Sequence, residues 1–138
     1  MPVLYYQATN LSAATLIEPV VKVNALLNAE CISQIFYTAP RRCQVFAVRY
    51  IHATAGNDSG AVTLDLVKCD GATAVASGTS VLSSTFNCKG AASTVQVGSL
   101  LSPLSAVKLE VGDRLGIRFA GTVTTLAGVS VNVHLRYL

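Results

Sequence analysis

The stretch that decides the fold is the C-terminal run at residues 129–137, which reads VSVNVHLRY. Every second residue of this run is large and apolar, and the residues between them are Ser130, Asn132, His134 and Arg136. A sustained period of two predicts a β-strand, because an amphipathic helix repeats every 3.6 residues. One face of this strand is expected to meet an apolar core, and its position at the C-terminus predicts a long strand in the middle of a sheet.

Runs upstream predict more strands. Residues 45–52 are apolar on both parities, as expected for a buried central strand. Shorter alternating runs at residues 62–66, 95–101, 107–111 and 114–119 are separated by turn signals rich in Gly, Asn and Asp. Residues 72–93 are rich in Ala, Ser, Thr and Gly, and their pattern fits either one helical turn or a short strand.

These runs together predict an all-β protein. About seven or eight strands without a strong helix favour an antiparallel β-sandwich of the jelly-roll type. An immunoglobulin-like sandwich would space its strands similarly, but that fold expects a core Trp. The chain contains no Trp.

The composition predicts one domain that hides part of its surface. The chain has 138 residues, of which 51% are hydrophobic and only 12% are charged. Soluble domains average about 25% charged residues. We therefore expect the protein to bury part of its exterior against copies of itself or against another protein.

Charge and hydropathy argue against two kinds of partner. The net charge is +3 and the cations form no run longer than Arg41-Arg42, so no nucleic acid is expected to bind. No apolar run reaches the roughly 18 residues of a membrane span, so no membrane partner is expected. The N-terminus lacks the pattern of a signal peptide, which predicts synthesis in a cytosol, followed either by retention there or by release through lysis of the cell.

Residues 1–28 differ in composition and are expected to form an N-terminal extended arm, with residues 29–138 as the jelly-roll domain. Glu18 precedes Pro19, and a residue before proline avoids the helical region. The arm is therefore expected to be extended, either without secondary structure or with one edge strand. Its aromatic and apolar side chains are candidates for contact with a partner surface: Tyr5, Tyr6, Leu16, Ile17, Val20 and Val21.

The four cysteines, at positions 31, 43, 69 and 88, are predicted to be reduced and buried. None has the spacing of a zinc site. If a disulfide formed, Cys69 and Cys88 would be the suspected pair, because they bracket the least regular segment.

No pattern predicts catalysis. The two histidines, His52 and His134, accompany no nucleophile motif such as GxSxG. Asp58 and Asp70 lie in turns, where they either cap the backbone or, as single carboxylates, offer a weak calcium site. Capping is the better interpretation, and no metal or cofactor is expected.

Three arginines are the remaining candidates for contact. Arg114, Arg118 and Arg136 share outward parity on the last two clear strands. If these strands were neighbours, the arginines would form a basic stripe with His134. Such a stripe is either a solvated face or a contact patch for an acidic partner. Gly112-Asp113 before Arg114 predicts a strand-joining turn with an ion pair.

Several of these blocks resemble small structural proteins of tailed bacteriophages. The resemblance lies in residues 48–56, residues 60–64, the Val81-Leu82…Phe86 segment and residues 109–115, and it spans about residues 43–138. It points to capsid decoration (cement) and head-fibre proteins. Gly112-Asp113-Arg114-Leu115 before a long closing strand is also similar to jelly rolls of the tumour necrosis factor-like type, which trimerise.

The resemblance implies a jelly roll, a homotrimer and a location in the virion, and it transfers no catalytic residue. The leading hypothesis is a non-enzymatic decoration protein that binds the outside of the capsid, with the major capsid protein as its partner. The alternatives are a fibre or spike domain that binds a host glycan, a small jelly-roll coat protein and, last, an enzyme.

Overall fold

The computed structural model describes residues 19–138, which form ten β-strands and three single 3₁₀ turns. The strands are β1 Val20–Leu26, β2 Gln34–Thr38, β3 Cys43–Ile51, β4 Thr63–Cys69, β5 Thr79–Ser80, β6 Phe86–Asn87, β7 Gln96–Val97, β8 Lys108–Leu109, β9 Arg114–Ala120 and β10 Val129–Tyr137. No helix in this part of the chain is long and apolar enough to cross a membrane.

The strands form two antiparallel sheets. The β3–β10 sheet has the order β1-β10-β3-β7, with β8 also paired to β3, and the β4–β9 sheet has the order β2-β9-β4-β5, with β6 also paired to β4. The short strands β5 and β6 both pair with the same edge of β4, so together they occupy one strand position in their sheet. In the same way β7 and β8 both pair with the same edge of β3. Of the resulting eight positions, consecutive ones lie in opposite sheets except for β4 and the β5/β6 position, which pair within the β4–β9 sheet; this is the connectivity of a jelly roll. The predicted fold class is confirmed.

The apolar core lies between the two sheets. On β10 the side chains of Val129, Val131, Val133 and Leu135 are fully buried, and on β9 Leu115 and Ile117 face them from the other sheet. The period-two pattern of both runs therefore predicted the correct inward faces. β10 lies between β1 and β3, which confirms its predicted place inside a sheet.

The first strand is an edge strand, which one of the two interpretations of residues 1–28 expects. β1 pairs with β10 along the edge of the β3–β10 sheet, with Val21 opposite Val133. Val23 and Leu26 belong to the apolar core. Residues 20–26 are therefore part of the sandwich, because removing them would open its core. Residues 1–18, including Tyr5, Tyr6, Leu16 and Ile17, lie outside the described residues, and their role as an arm stays a prediction.

The segment that follows β4 folds back over the outside of the β4–β9 sheet. Its 3₁₀ turn, Val75–Ser77, rests on that sheet, where Gly116 makes room for it. A Cβ on Gly116 would lie 2.8 Å from Cγ2 of Val75. The outward side chain of Val67 is consequently fully buried. Within residues 72–93 the regular parts are the 3₁₀ turn Val75–Ser77 and the two-residue strands β5 and β6, so Phe86 of the predicted segment lies in a short strand.

Candidate interaction surfaces

The three predicted arginines do not form one stripe. Arg114 and Arg118 lie on β9 in the β4–β9 sheet, whereas Arg136 and His134 lie on β10 in the β3–β10 sheet. The two clear strands at the end of the chain are consecutive in sequence but belong to opposite sheets. Their outward faces therefore point to opposite sides of the sandwich, and the predicted stripe is wrong.

Arg114 and Arg118 bind the protein's own backbone. The Arg114 guanidinium donates to the carbonyls of Gly71 and Thr73 at 2.9 and 2.8 Å. The Arg118 guanidinium donates to the carbonyls of Ala76 and Gly78 at 3.2 and 2.9 Å. Both side chains thus hold residues 71–78 on the β4–β9 sheet. The predicted ion pair with Asp113 is not among the ion pairs of the described residues.

Arg118 also pairs with a nearly buried acid. Its Nη2 lies 3.1 Å from Oδ2 of Asp65, and the Ser80 hydroxyl donates to Oδ1 of the same carboxylate at 2.7 Å. Asp65 is only 8% exposed. The signal for this pair was a lone acid inside the apolar run Leu64–Val67, since an acid is rarely buried without a partner.

The turn at Gly112 is confirmed, and Asp113 caps its backbone where the sequence predicts an ion pair. Gly112 has a positive φ of 88°, which favours glycine. The Asp113 carboxylate accepts the Glu110 backbone N–H at 2.9 Å.

The Glu110 side chain forms ion pairs beside this turn. Hydrogen bonding to Lys108 lowers the pKa of Glu110. The Glu110 carboxylate lies 3.0 Å from Nζ of Lys108 and 3.5 Å from Nε of Arg42.

A polar cleft of about 290 Å³ lies beside this turn, between residues 68–79 and residues 105–113. Lys68 connects the two sides of the cleft, because its ammonium group donates to the carbonyls of Ser105 and Lys108 at 2.8 and 3.0 Å. Because the cleft's cations and acids mostly bond to the protein itself, its arrangement is structural.

The outer face of the β3–β10 sheet is different. Lys22 on β1, Asn132 on β10 and Arg49 on β3 lie side by side in register across three strands. All three are exposed. Among the described residues neither Lys22 nor Arg49 has an ion-pair partner. The parity of residues 45–52 does not reveal this row, because apolar residues at both parities predict burial on both faces. That prediction is wrong for the outer face of β3, where Arg49 is exposed.

An aromatic cluster stands on the same face. The Arg136 guanidinium lies 4.6 Å from the centre of the Phe46 ring, and His134 meets that ring edge-on at 5.8 Å. At the end of the sheet Arg41 covers the ring of Tyr137 at 4.4 Å. Cation–π contacts of this kind fix the position of each guanidinium on the surface.

A shallow groove of about 90 Å³ adjoins the row of Lys22, Asn132 and Arg49. It is lined by Arg49, Ile51, Val95, Ser130 and Asn132, with Tyr50 beneath. Val97, on the neighbouring strand β7, pairs with Arg49 and is 67% exposed. The face therefore combines cations with an apolar margin.

The predicted contact residues of β1 lie at the edge of this sheet. Val20 is 48% exposed and lies opposite His134, on the outer face. Val21 points inward and packs partly against the core. Of the two, only Val20 is placed to meet a partner.

His52 is a structural residue. It is fully buried, its Nε2–H donates to the Gly90 carbonyl at 2.9 Å, and its Nδ1 accepts the Tyr50 hydroxyl at 2.8 Å. Burial raises the pKa of the Tyr50 hydroxyl, and it raises the pKa of the nearby Cys88 thiol to about 11. A thiol held protonated in this way is a poor nucleophile.

All four cysteines are free and buried. Cys69 ends β4, whereas the Cys88 backbone N–H bonds to the carbonyl of Val62 just before the start of that strand. Seven residues of extended chain separate the two positions by about 20 Å. A disulfide requires Cα atoms within about 7 Å, so this fold does not permit a Cys69–Cys88 bond.

Of the two turn acids, Asp58 bonds to a backbone N–H and Asp70 bonds to a side-chain hydroxyl. The Asp58 carboxylate accepts the Thr124 N–H at 2.9 Å, and the Asp70 carboxylate accepts the Thr73 hydroxyl at 3.3 Å. No group of three metal-ligating side chains occurs within residues 19–138.

Comparisons with known proteins support the fold assignment. No model of a known protein family matches the chain, and no curated protein sequence matches it. Among solved structures it is similar to a chain from the capsid of Ralstonia phage GP4, with a TM-score of 0.61 and 18% identity over 89% of this chain and 83% of that chain. At this identity the likeness shows a shared fold.

A second structure is similar at a lower level. It comes from Bacillus endospore appendages, a family of disulfide-linked pili, with a TM-score of 0.41 and 16% identity over 89% of this chain and 88% of that chain. This score is too low to support an argument about fold or function.

Proposed function

We propose that the protein is a non-enzymatic structural protein of a phage virion, which decorates the outer surface of the capsid as a homotrimer and stabilises it. The observation that carries this proposal is the fold shared with a phage capsid chain over nearly the full length of both chains. The sequence resemblance to phage decoration and head-fibre proteins supports it independently, since it rests on residues and not on the fold.

The surface supports a binding role. The described residues have a closed core and hold no metal-ligating cluster. Only 12% of the chain is charged, which suits a protein that buries part of its exterior in an assembly. In a trimer three copies of one contact surface act together, so weak individual contacts give strong overall binding.

The mechanism is preferential binding to the assembled shell. A protein that binds the closed capsid and not its free subunits shifts the equilibrium towards the capsid by mass action. Three protomers arranged around a three-fold axis would each bridge neighbouring subunits. The stabilisation then grows with the occupancy of the sites.

The experiment is co-sedimentation of the purified protein with phage particles prepared without it, followed by heating of both kinds of particle. We expect saturable binding and a higher disruption temperature for decorated particles. Sedimentation equilibrium at micromolar concentration should give a trimer. A protein of 14.4 kDa that stays monomeric and does not bind particles would contradict the proposal.

A small coat protein is the second candidate, because the same similarity to a capsid chain supports it. It predicts that the purified protein forms closed shells by itself. Glycan binding has less support: Tyr50 is buried, and Tyr37 and Tyr137 pack against the core, which leaves few exposed aromatic rings among the described residues.

A further inference from the structure

The outer face of the β3–β10 sheet differs from the rest of the described surface in its charge. We propose that this face is the docking surface, and that it binds an acidic patch on the outside of the capsid shell. This inference rests on the proposed function and adds to it the face that binds and the charge of the surface that it meets.

The charges of the chain are segregated. All ten cations and six of the seven acids lie within residues 19–138. The three long strands of this sheet carry Lys22, Arg49 and Arg136 and no acid. The remaining seven cations and six acids nearly balance. The excess positive charge of the described part therefore stands mainly on one face.

The geometry concentrates that charge. Asn132 lies directly between Lys22 and Arg49, which places their Cα atoms about 10 Å apart across two strand spacings. No ion pair within residues 19–138 neutralises either side chain. Two exposed cations at this spacing attract an acidic surface and repel a basic one, and this sets both the orientation and the rate of docking.

The face also has apolar area beside its cations. Ile51 and Val95 line the shallow groove next to Arg49, and Val97 is exposed on the adjoining strand. Protein interfaces commonly combine an apolar centre with a polar rim and a few hydrogen bonds. The Asn132 side-chain amide supplies a hydrogen-bonding group here, whereas the Ser130 hydroxyl already bonds to Asn24 and to the Ala25 N–H.

The opposite face is less suited to docking. Residues 71–78 cover the β4–β9 sheet, and Arg114 and Arg118 are bonded to that segment. A partner that used these two arginines would have to displace the contacts that hold the segment in place.

The test compares two variants of the full-length protein that lose the same net charge. Lys22→Gln/Arg49→Gln removes two cations from the proposed face. The control, Ala72→Glu/Ala76→Glu, adds two acids at exposed positions on the segment that covers the opposite face. All four substitutions are at exposed side chains, and circular dichroism with thermal unfolding verifies that both variants remain folded.

Binding to particles prepared without the protein is measured at about 50 mM and about 500 mM salt, because high salt screens exposed charges. At low salt we expect the Lys22→Gln/Arg49→Gln variant to bind about tenfold more weakly than the wild type, and the difference to shrink at high salt. The control variant should bind as the wild type does.

Each other outcome is decisive. If the wild type binds and the Lys22→Gln/Arg49→Gln variant binds equally well, the face is wrong while the proposed function stands. An equal loss in both variants would mean that net charge matters and the face does not. If the wild type binds free duplex DNA as tightly as it binds particles, the partner is a nucleic acid. A wild type that binds no particles defeats both the inference and the proposed function.

Discussion

Arg118 and Asp65 stand directly opposite each other on β9 and β4, and Nη2 of the guanidinium lies 3.1 Å from Oδ2 of the carboxylate. The pair joins three parts of the fold, because Arg118 also holds the carbonyls of Ala76 and Gly78 and Asp65 also holds Ser80. It therefore connects the β4–β9 sheet to the segment that covers it.

Asp65→Ala should destabilise the protein. The substitution removes the partner of a partly buried guanidinium and one acceptor of the Ser80 hydroxyl, so we expect a loss of about 1–3 kcal/mol in the free energy of unfolding. The measurement is urea denaturation. The control is Glu110→Ala, which breaks exposed ion pairs and should leave the urea midpoint unchanged. Equal midpoints for Asp65→Ala and the wild type would contradict the structural role of the pair.

Gly116→Ala should destabilise the protein through a steric clash. The added Cβ would lie 2.8 Å from Cγ2 of Val75 and 2.9 Å from the carbonyl oxygen of Gln34. Overpacking of this kind costs about 1–3 kcal/mol. Gly56→Ala is the matched control, because its new methyl group would meet Val62 at an ordinary 3.5 Å. The measurement is thermal unfolding of both variants. A similar Tm for both would show that residues 71–78 and the Gln34 carbonyl on β2 move aside easily.

Truncation separates the predicted arm from the sandwich. Deletion of residues 1–18 should leave the β signal in circular dichroism unchanged, because all ten described strands lie after it. Deletion of residues 1–28 also removes β1 and the core side chains of Val23 and Leu26, each worth about 1.5–3 kcal/mol when buried. We expect that variant to unfold at a clearly lower temperature. The shorter deletion then tests whether Tyr5, Tyr6, Leu16 and Ile17 contribute to particle binding.

Stability should fall at alkaline pH. Burial raises the pKa of Cys88 from 9.0 to about 11 and that of Tyr37 from 10.0 to about 12. Between pH 9 and pH 12 the unfolded chain thus releases protons that the folded protein keeps, which favours unfolding by up to about 1.4 kcal/mol per pH unit for each group. The Tm should be constant below pH 9 and decline above it. In Cys88→Ala the decline should be shallower but begin at the same pH, because burial also raises the pKa values of the Cys31 and Cys43 thiols. A profile identical to that of the wild type would exclude Cys88 as a cause.

Much of the fold was predictable because one face of each long strand is buried. The alternation in β9 and β10 marks the inward side chains, since a one-residue shift would bring His134 and Arg136 into the core. The short strands β5 to β8 were not predictable in extent, because two-residue strands depend on the long strands to which they pair. Val75 could not be placed on Gly116 from sequence, as that contact joins residues distant along the chain.

The candidate site was less predictable than the fold. Parity identified Arg114, Arg118 and Arg136 as outward-facing, but parity does not say to which sheet a strand belongs. In a jelly roll, strands that follow each other at the end of the chain lie in opposite sheets, and this separates Arg136 from the other two. Lys22, Asn132 and Arg49 form a row only because β1, β10 and β3 are neighbours in the sheet. No local sequence pattern indicates that these three strands are adjacent.

The pairing of β1 with β10 has a topological consequence. Because these strands are antiparallel neighbours, Pro19 and Leu138 lie at the same end of the sandwich, where the Leu135 N–H bonds to the carbonyl of Pro19 at 2.9 Å. The two ends of the segment formed by residues 19–138 are therefore close in space. A circular permutant could therefore be made by joining Leu138 to Pro19 with a short linker and placing the new termini at Gly60. Gly60 lies in an exposed turn at the far end of the sandwich, so both sheets would stay intact.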